Sequence, residues 1–248
     1  MIDIHCHLLP GIDDGPDTLE QALELARIAV ANGITHSVLT PHIHPGRWEN
    51  SRDVISQACQ AFRQALAEQD IPLQLGYAAE VRLSPEVLEL VETEQIPFHG
   101  EVAGEKIMLL ELPHSHVPPG SDNLVRWLID NGIRPMIAHP ERNKGIMRDI
   151  DKIKPFVELG CLFQLTAGSV AGNFGEPARQ TAEQLLKMGC VTLLASDAHN
   201  SQARPPRLDQ GRDAVAAILD AEQAQAMVNE RPWSLVAGQF ATNATNAT

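Results

Sequence analysis

Residues 2–33, IDIHCHLLPGIDDGPDTLEQALELARIAVANG, carry the pattern that decides the fold. A short apolar and β-branched run at 2–7 predicts a strand, and a segment of helical period from about Thr18 predicts a helix. The apolar face of that helix would contain Leu19, Ala22, Leu23, Ala26, Ala29 and Val30. The Asn32-Gly33 pair is a helix stop signal. The stretch therefore predicts one βα unit.

The same alternation continues along the chain. Further strands are predicted at 37–40, 73–77, 107–110, 135–138, 161–165 and 191–195, and the segment 41–51, PHIHPGRWENS, is predicted to be a loop. Helices are predicted at 53–68, 85–92, 122–131, 150–159, 176–188 and 208–219, with one or two more closing the chain. Seven βα units within 248 residues favour an α/β fold, a closed parallel barrel with outer helices. An open doubly wound sheet is the alternative, and a single domain over 1–248 is expected.

Composition restricts the possible partners and compartments. The chain has 19 Lys and Arg against 32 Asp and Glu, a formal charge of −13, so it should repel nucleic acid and anionic lipid. Four scattered cysteines without a C-x-x-C pair suit a reducing compartment. The N-terminus has no secretory signal pattern, and no apolar run approaches the roughly 18 residues that a membrane span needs. We expect a cytoplasmic protein without membrane insertion, whose sequons at Asn243 and Asn246 belong to a polar tail.

Residue types that bind metals recur at the ends of the predicted strands. They are His5, His7, His42, Glu80, Glu111, His139, Asp197 and His199. The carboxyl ends of parallel strands converge on one rim, so residues far apart in sequence should meet there. Burying several ionisable groups together is costly unless a cation compensates them. The pattern predicts a polynuclear metal site, and imidazole with carboxylate but no thiolate suits Mn, Fe or Zn.

Strand alternation assigns faces around the first pair of histidines. His5 and His7 should point to one face, and Cys6 should point away into the core. Asp3 shares the histidine face, where it would either orient a ligand or make a plain buried hydrogen bond. Asp14, in the segment DDGP at 13–16, has two interpretations. It serves the turn and the helix N-terminus, or it swings back to a metal.

Together these segments resemble a known family. The matching motifs are DIHCH at 3–7 with DDGP at 13–16, TPH ending at His42, AEV around Glu80, LLEL around Glu111, AHPER at 138–142, and SDAHN at 196–200 with RPP at 204–206. In order and spacing they resemble the PHP (polymerase and histidinol phosphatase) metallohydrolases. Within that group the chain is most similar to the bacterial tyrosine phosphatases associated with capsule and exopolysaccharide export.

The resemblance implies a distorted seven-stranded (β/α) barrel with three divalent metal ions, Mn being expected and Fe or Zn being alternatives. It places His5, His7, Glu80 and Asp197 around the first ion, Glu80, Glu111 and His139 around the second, and Asp14, His42 and His199 around the third. The implied reaction is hydrolysis of phosphotyrosine by a metal-activated hydroxide. The implied partner is a phosphotyrosine-containing protein, a bacterial tyrosine kinase of polysaccharide export.

Several residues near these motifs are candidates for contacting substrate. With the resemblance in hand, Arg142 and Arg204 are expected to bind phosphate oxygens, since both lie in loops beside ligands. Arg47 and Arg207 are further candidates for substrate binding. Trp48 would either stack on the phosphotyrosine ring or pack its own loop. The second H-x-H motif, His114 and His116, is expected at the rim rather than on a metal.

Other phosphatase and hydrolase classes lack support in the sequence. No cysteine begins a C-x5-R motif, and neither G-x-S-x-G nor a nucleotide-binding glycine motif is present. A small-molecule phosphatase such as a histidinol-phosphate phosphatase is the first alternative function, because it would use the same metals. An exonuclease is a second alternative, opposed by the negative charge. A non-catalytic regulatory protein is the third.

Overall fold

The computed structural model describes residues 1–241. Residues 242–248, with both sequons and the end of the expected 1–248 domain, lie outside the described residues. The strands are β1 Ile2–Cys6, β2 His36–Leu39, β3 His42–Ile43, β4 Gln74–Tyr77, β5 Glu80–Arg82, β6 Glu101–Val102, β7 Glu105–Glu111, β8 Ile133–Ala138, β9 Leu162–Thr166 and β10 Leu193–Ala195. The helices are α1 Leu19–Ala31, α2 Arg52–Glu68, α3 Val87–Glu92, α4 Ser121–Asp130, α5 Lys144–Arg148, α6 Lys154–Glu158, α7 Ala167–Val170, α8 Glu176–Lys187, α9 Asp209–Ile218, α10 Ala221–Ala226 and α11 Glu230–Phe240.

Parallel pairing connects the strands in chain order. One sheet has the order β1-β2-β4, and the other has the order β3-β5-β7-β8-β9-β10 with β6 antiparallel to β7. Two residues separate β2 from β3, and two separate β4 from β5, so each of these pairs is one interrupted strand. Counted in this way, residues 1–241 contain seven parallel strands, and the predicted α/β architecture is confirmed.

The segment that follows the last strand, β10, lies beside the first strand, β1. The backbone N–H of His7 donates to the carbonyl of Ala198 at 2.8 Å, and that of Asp197 donates to the carbonyl of His5 at 2.8 Å. Cys6 and Ala198 form a parallel bridge. These bonds hold the segment that follows β10 against the end of β1, and they place the ends of both strands at the predicted metal site.

Local sequence accounts for the helix ends and the core. Thr18 caps α1 in a capping box with Gln21, so the predicted start is confirmed, although Leu19 of the predicted apolar face is 46% exposed. Cys6 is fully buried in the main apolar core, as expected. A second apolar cluster joins strand residues such as Ile4 to Leu235 of α11.

Two of the sequence-based predictions are corrected, and the other boundaries agree within two residues. The predicted loop 41–51 contains β3, because His42 and Ile43 pair with β5. The helix predicted over 150–159 is divided into a 3₁₀ turn, Ile150–Ile153, and α6. Pro155 has no N–H to continue one α-helix, but it fits the first turn of a new one. The short elements α5, α7, β5 and β6 escaped prediction because runs of two to five residues show no period.

Candidate metal centre

Strand ends bring all nine predicted metal ligands to one region. Seven of them are at most 7% exposed: His5, His7, His42, Glu80, His139, Asp197 and His199. Glu111 is half-buried at the end of β7, and the Asp14 side chain is 40% exposed in the loop before α1. The nine residues expected from the sequence therefore lie together, including Asp14, for which two interpretations were open.

The first group of four surrounds a small space. Nε2 of His5 lies 3.3 Å from Nε2 of His7, and both atoms lie 3.3 Å from Oε2 of Glu80. Oδ1 of Asp197 lies 3.3 Å from the His5 nitrogen and 3.5 Å from the His7 nitrogen. These are the four residues that the family resemblance places around the first ion.

Two further residues fix the protonation of these imidazoles. Nδ1 of His7 lies 2.7 Å from Oδ2 of Asp13, and Nδ1 of His5 lies 2.8 Å from Oε1 of Gln164. Both partners are acceptors, so each Nδ1 atom carries a hydrogen. In the neutral rings each Nε2 then presents a lone pair toward the two carboxylates. Two imidazole nitrogens and two carboxylate oxygens whose lone pairs face one another are ligand atoms suited to a divalent cation.

The remaining ligands extend the cluster on both sides of Glu80. Its Oε1 accepts from Nε2 of His139 at 2.8 Å, while its Oε2 lies 3.1 Å from Nδ1 of His42. His42, Glu80 and Glu111 offer ligand atoms within 4.8 Å of one another. The resemblance instead groups His139 with Glu80 and Glu111. Glu80 belongs to both groups, because one of its carboxylate oxygens lies beside His139 and the other beside His42.

The third group lies at the solvent side. Oδ1 of Asp14 is 3.3 Å from Nε2 of His42 and 3.3 Å from Nε2 of His199. His7 also offers a ligand atom to this group. The three residues that the resemblance assigns to the third ion therefore lie together, and His7 stands between the first and third groups.

Buried atoms without hydrogen bonds show that the cluster suits cations. In residues 1–241, Oδ1 of Asp197 and Nδ1 of His42 have no hydrogen-bond partner, although Nε2 of His5 lies 3.3 Å from the first atom and Oε2 of Glu80 lies 3.1 Å from the second. Unpaired buried acceptors are costly unless a ligand or ion occupies them. The acceptors, their burial and the fixed imidazole tautomers all fit a metal centre.

Backbone strain is concentrated at two of these ligands. His139 has φ 33° and Asp197 has φ 52°, both in the left-handed region that non-glycine residues seldom adopt. Such conformations cost about 1–3 kcal/mol each and occur where the surroundings impose them. Here they turn the chain sharply after β8 and β10, so that both side chains face the cluster.

The two arginines meet at Asp197. Nη1 of Arg142 and Nη2 of Arg204 both donate to Oδ2 of Asp197, the second at 2.5 Å. Burial alone would raise the pKa of Asp197, but Arg142, His5 and Arg204 hold it well below its usual range. Nε of Arg204 is buried and has no hydrogen-bond partner in the described part of the chain. A free donor next to the metal ligands suits an incoming oxyanion.

A cavity of about 240 Å³ opens above the ligands. Of the expected substrate residues, the ones that line it are Arg47, Trp48, Arg142 and Arg204. Arg207 does not line it and is exposed. His114 lines the cavity, whereas His116 is exposed.

Trp48, which lines the cavity, also packs against His42. Its ring stacks on His42 with 4.7 Å between centroids and 10° between planes. The guanidinium carbon of Arg47 lies 3.9 Å from the centroid of the same ring. Of the two interpretations of Trp48, packing within its own loop is the one that these contacts support.

Sequence reasoning missed three polar residues of the centre. Asp13 holds His7 and also accepts from the backbone of His42 at 3.1 Å. Gln164 is fully buried in β9, and a glutamine inside an apolar strand was the available signal. Arg82 pairs with Glu111 at 2.9 Å, and its spacing of two from Glu80 on a strand predicts the shared face.

Asp3 serves the loop that carries Asp197. Its carboxylate accepts from the backbone N–H of Ser196 at 3.0 Å and from the Ser196 hydroxyl at 2.5 Å. Burial raises its pKa in spite of these bonds. Asp3 thus makes buried hydrogen bonds to the segment before Asp197.

Comparison with known proteins identifies the family. A sequence model described as "Capsular polysaccharide synthesis, CpsB/CapC" matches residues 1–237. The chain belongs to the CpsB/CapC family. The resemblance to bacterial tyrosine phosphatases associated with capsule export is thereby confirmed.

Two curated relatives of the CpsB/CapC family illustrate the similarity. Tyrosine-protein phosphatase YwqE of Bacillus subtilis (strain 168) is 36% identical over 204 residues, which cover 82% of this chain and 79% of the relative. Tyrosine-protein phosphatase CpsB of Streptococcus pneumoniae is 27% identical over 249 residues, which cover 97% of this chain and 100% of the relative.

A solved structure supports the same relationship. It belongs to a study of YwqE from Bacillus subtilis and CpsB from Streptococcus pneumoniae, described as unique metal-dependent tyrosine phosphatases. It superposes with a TM-score of 0.88 at 32% identity, covering 96% of this chain and 95% of that chain. Within residues 1–241 no helix combines the length and apolar character needed to cross a membrane.

Proposed function

We propose that this protein is a metal-dependent protein-tyrosine phosphatase. The observation that carries the proposal is a single cavity in which buried imidazole and carboxylate acceptors lie beside two guanidinium groups. Cations and guanidinium groups together match the charge of a phosphate monoester. The relatives named as tyrosine-protein phosphatases support phosphotyrosine as the substrate over a small metabolite.

Three divalent ions, Mn or alternatively Fe or Zn, would occupy the cluster. His5, His7, Glu80 and Asp197 would hold the first, Glu80, Glu111 and His139 the second, and Asp14, His42 and His199 the third. When bound, the ions supply Lewis-acid stabilisation of the phosphoryl oxygens and make water a stronger nucleophile near neutral pH.

The protein's own side chains orient the substrate. Arg142 and Arg204 would bind the phosphate oxygens through N–H groups that turn from Asp197 toward the cavity and through Nε–H of Arg204, which has no partner among the described residues. Arg47 also lines the cavity and would contact the polypeptide near the phosphotyrosine. Trp48 would keep the His42 ring in place through stacking. Arg207, exposed outside the cavity, would reach only a substrate residue beyond the phosphotyrosine.

The family and the charge support a proposal for the physiological setting. The substrate would be a phosphotyrosine-containing protein, a bacterial tyrosine kinase of polysaccharide export, dephosphorylated in the cytoplasm. Nucleic acid is not a partner on this proposal, because the net charge is −13. Residues 1–248 would form one domain, which the family match over residues 1–237 supports.

Metal-stripped protein provides the test. Elemental analysis first verifies removal, and Mn²⁺, Fe²⁺ and Zn²⁺ are then restored separately. Each preparation is assayed with a phosphotyrosine peptide, a phosphoserine peptide, histidinol phosphate and single-stranded DNA. We expect no turnover without metal and the highest kcat/KM on phosphotyrosine.

Arg142→Ala should lower kcat/KM on the order of 100-fold with metal retained, since a group that stabilises transition-state charge is removed. The exposed Arg126→Ala on α4 is the matched control. Higher kcat/KM on histidinol phosphate would favour a metabolic enzyme, and cleavage of DNA would favour an exonuclease. Absence of turnover with every metal would favour a regulatory protein.

A further inference from the structure

Phe174 lies beside both arginines of the metal centre. The guanidinium carbon of Arg142 is 4.8 Å from the centroid of its ring, and that of Arg204 is 6.0 Å away. Arg142 follows β8 and Arg204 follows β10, whereas Phe174 lies between α7 and α8. One aromatic ring from a third segment therefore contacts two cations that come from separate loops.

The geometry of this contact preserves the hydrogen-bonding capacity of the arginines. A cation over an aromatic ring uses the face of the guanidinium group, whereas its N–H groups point outward in the plane. Carboxylate partners such as Asp197 occupy those N–H groups. Phe174 is thus a contact that can hold Arg142 and Arg204 while their donors pass from Asp197 to a phosphate.

The backbone beneath Phe174 allows the ring to approach closely. A Cβ atom added at Gly168 of α7 would lie 3.1 Å from one ring carbon and 3.5 Å from another. The loop also holds itself together, because the N–H of Asn173 donates to the carbonyl of Gly168 at 2.8 Å. The half-buried ring is therefore fixed by α7 on one side and contacts the arginines as well.

We propose that Phe174 is a positioning residue that aligns Arg142 and Arg204 for the phosphate group of the substrate. The proposal rests on the proposed function, because it requires both arginines to bind phosphate. Cation–aromatic contacts at partly exposed sites contribute modestly, so we expect loss of both contacts to lower kcat/KM about tenfold. The effect should fall on phosphate binding and turnover, and leave metal binding unchanged.

The test compares ring variants in the Mn²⁺-loaded full chain. Phe174→Leu removes the aromatic face and keeps apolar bulk, whereas Phe174→Trp keeps a strong aromatic face. Phe98→Leu is the matched control, since Phe98 lies 5.4 Å from the Lys106 ammonium and does not line the metal cavity. The measurements are kcat and KM for an aryl phosphate, the inhibition constant of inorganic phosphate, bound metal per chain and the thermal midpoint.

We expect Phe174→Leu to lower kcat/KM about tenfold and to raise the phosphate inhibition constant by a similar factor, with metal content unchanged. In Phe174→Trp, kcat/KM and the phosphate inhibition constant should lie within about threefold of the wild-type values. Phe98→Leu should have the wild-type values of both. Wild-type kinetics in Phe174→Leu, equal impairment of the Leu and Trp variants, or metal loss would each overturn the proposal.

Arginine variants separate this outcome from failure of the proposed function. Arg142→Ala and Arg204→Ala are assayed beside the ring variants. If neither changes kcat/KM or phosphate inhibition, the phosphate contact itself is wrong and the role of Phe174 falls with it. If both do and Phe174→Leu does not, only the role of Phe174 is overturned.

Discussion

Gln164 orients His5: its Oε1 lies 2.8 Å from Nδ1 of the imidazole, and the backbone N–H of His139 approaches the same oxygen at 3.4 Å. Two donors on one atom fix the orientation of the amide, because its nitrogen cannot accept either bond. The equivalent partner of His7 is the carboxylate of Asp13. One imidazole of the pair thus has a neutral partner and the other an anionic one.

Replacing Gln164 should therefore weaken metal binding with every proposed ligand still present. In Gln164→Leu the His5 ring loses the acceptor that holds its tautomer, and we expect affinity to fall about 10–100-fold. Gln164→Glu keeps an acceptor and is the control, with affinity near or above that of the wild type. Competition with a chromogenic chelator measures both, and equal affinities of the Leu variant and the wild type would contradict the role.

Asp13 should support metal binding although it is not one of the proposed ligands. Asp13→Asn weakens the bond to Nδ1 of His7 and the support of the His42 backbone, so we expect about 10–100-fold weaker metal binding. Asp17→Asn, exposed in the same loop, is the matched control. Calorimetric titration of the metal-free proteins gives the comparison, and an Asp13 variant that titrates like Asp17→Asn would refute it.

The sequence predicted the strand ends better than the roles of adjacent residues. His5 and His7 are two apart on one strand, so alternation alone predicts that they converge, and their Nε2 atoms are 3.3 Å apart. Asp13 and Asp14 are neighbours in a loop, where no period applies. Asp13 accepts a hydrogen bond from the His7 imidazole, whereas Asp14 lies beside the His42 imidazole. This assignment depends on the path of the loop, which the order of residues does not determine.

Contacts between distant segments were beyond prediction for a related reason. Phe174 lies in a loop without periodic pattern, and its partners are 32 residues before it and 30 residues after it in the chain. The strand break between β2 and β3 was also hidden, because His42 in a Gly- and Pro-bearing segment indicates a loop. Tertiary pairing with β5 overrides that local preference.

Two helical glycines should respond in opposite directions to alanine. A Cβ at Gly211 of α9 would lie 2.6 Å from Cα of Ala167, a backbone atom of α7, so Gly211→Ala should lower the free energy of unfolding by about 1–3 kcal/mol. Around a Cβ at Gly238 of α11, no described atom lies within 4 Å apart from those of the adjacent residues and of the same helix's backbone, and Gly238→Ala should raise the free energy of unfolding by about 0.5–1 kcal/mol. Urea unfolding measures both, and a Gly211 variant as stable as Gly238→Ala would show that α7 and α9 can separate at little cost.

His99 should make the free energy of unfolding depend on pH, separately from the contribution of the proposed metal ligands. It is fully buried, Nε2–H donates to the carbonyl of Ile4 at 2.7 Å, and Nδ1 has no partner in residues 1–241. Burial lowers the pKa of His99 to about 4. Because the folded pKa lies below the unfolded value of about 6.5, its stabilising contribution is complete above about pH 6.5 and is lost as the pH falls toward 4.

His99→Gln cannot take up that proton and keeps an amide donor for the Ile4 carbonyl. Between about pH 6.5 and pH 4.5, the free energy of unfolding of the wild type should therefore decrease by about 2–3 kcal/mol more than that of His99→Gln. Urea unfolding of both metal-free proteins across this range gives the two slopes. Contributions from the clustered histidines are common to both and cancel in the difference. Parallel curves would mean that His99 is protonated in the folded protein, with Nδ1–H bonded to water or to a shifted backbone carbonyl.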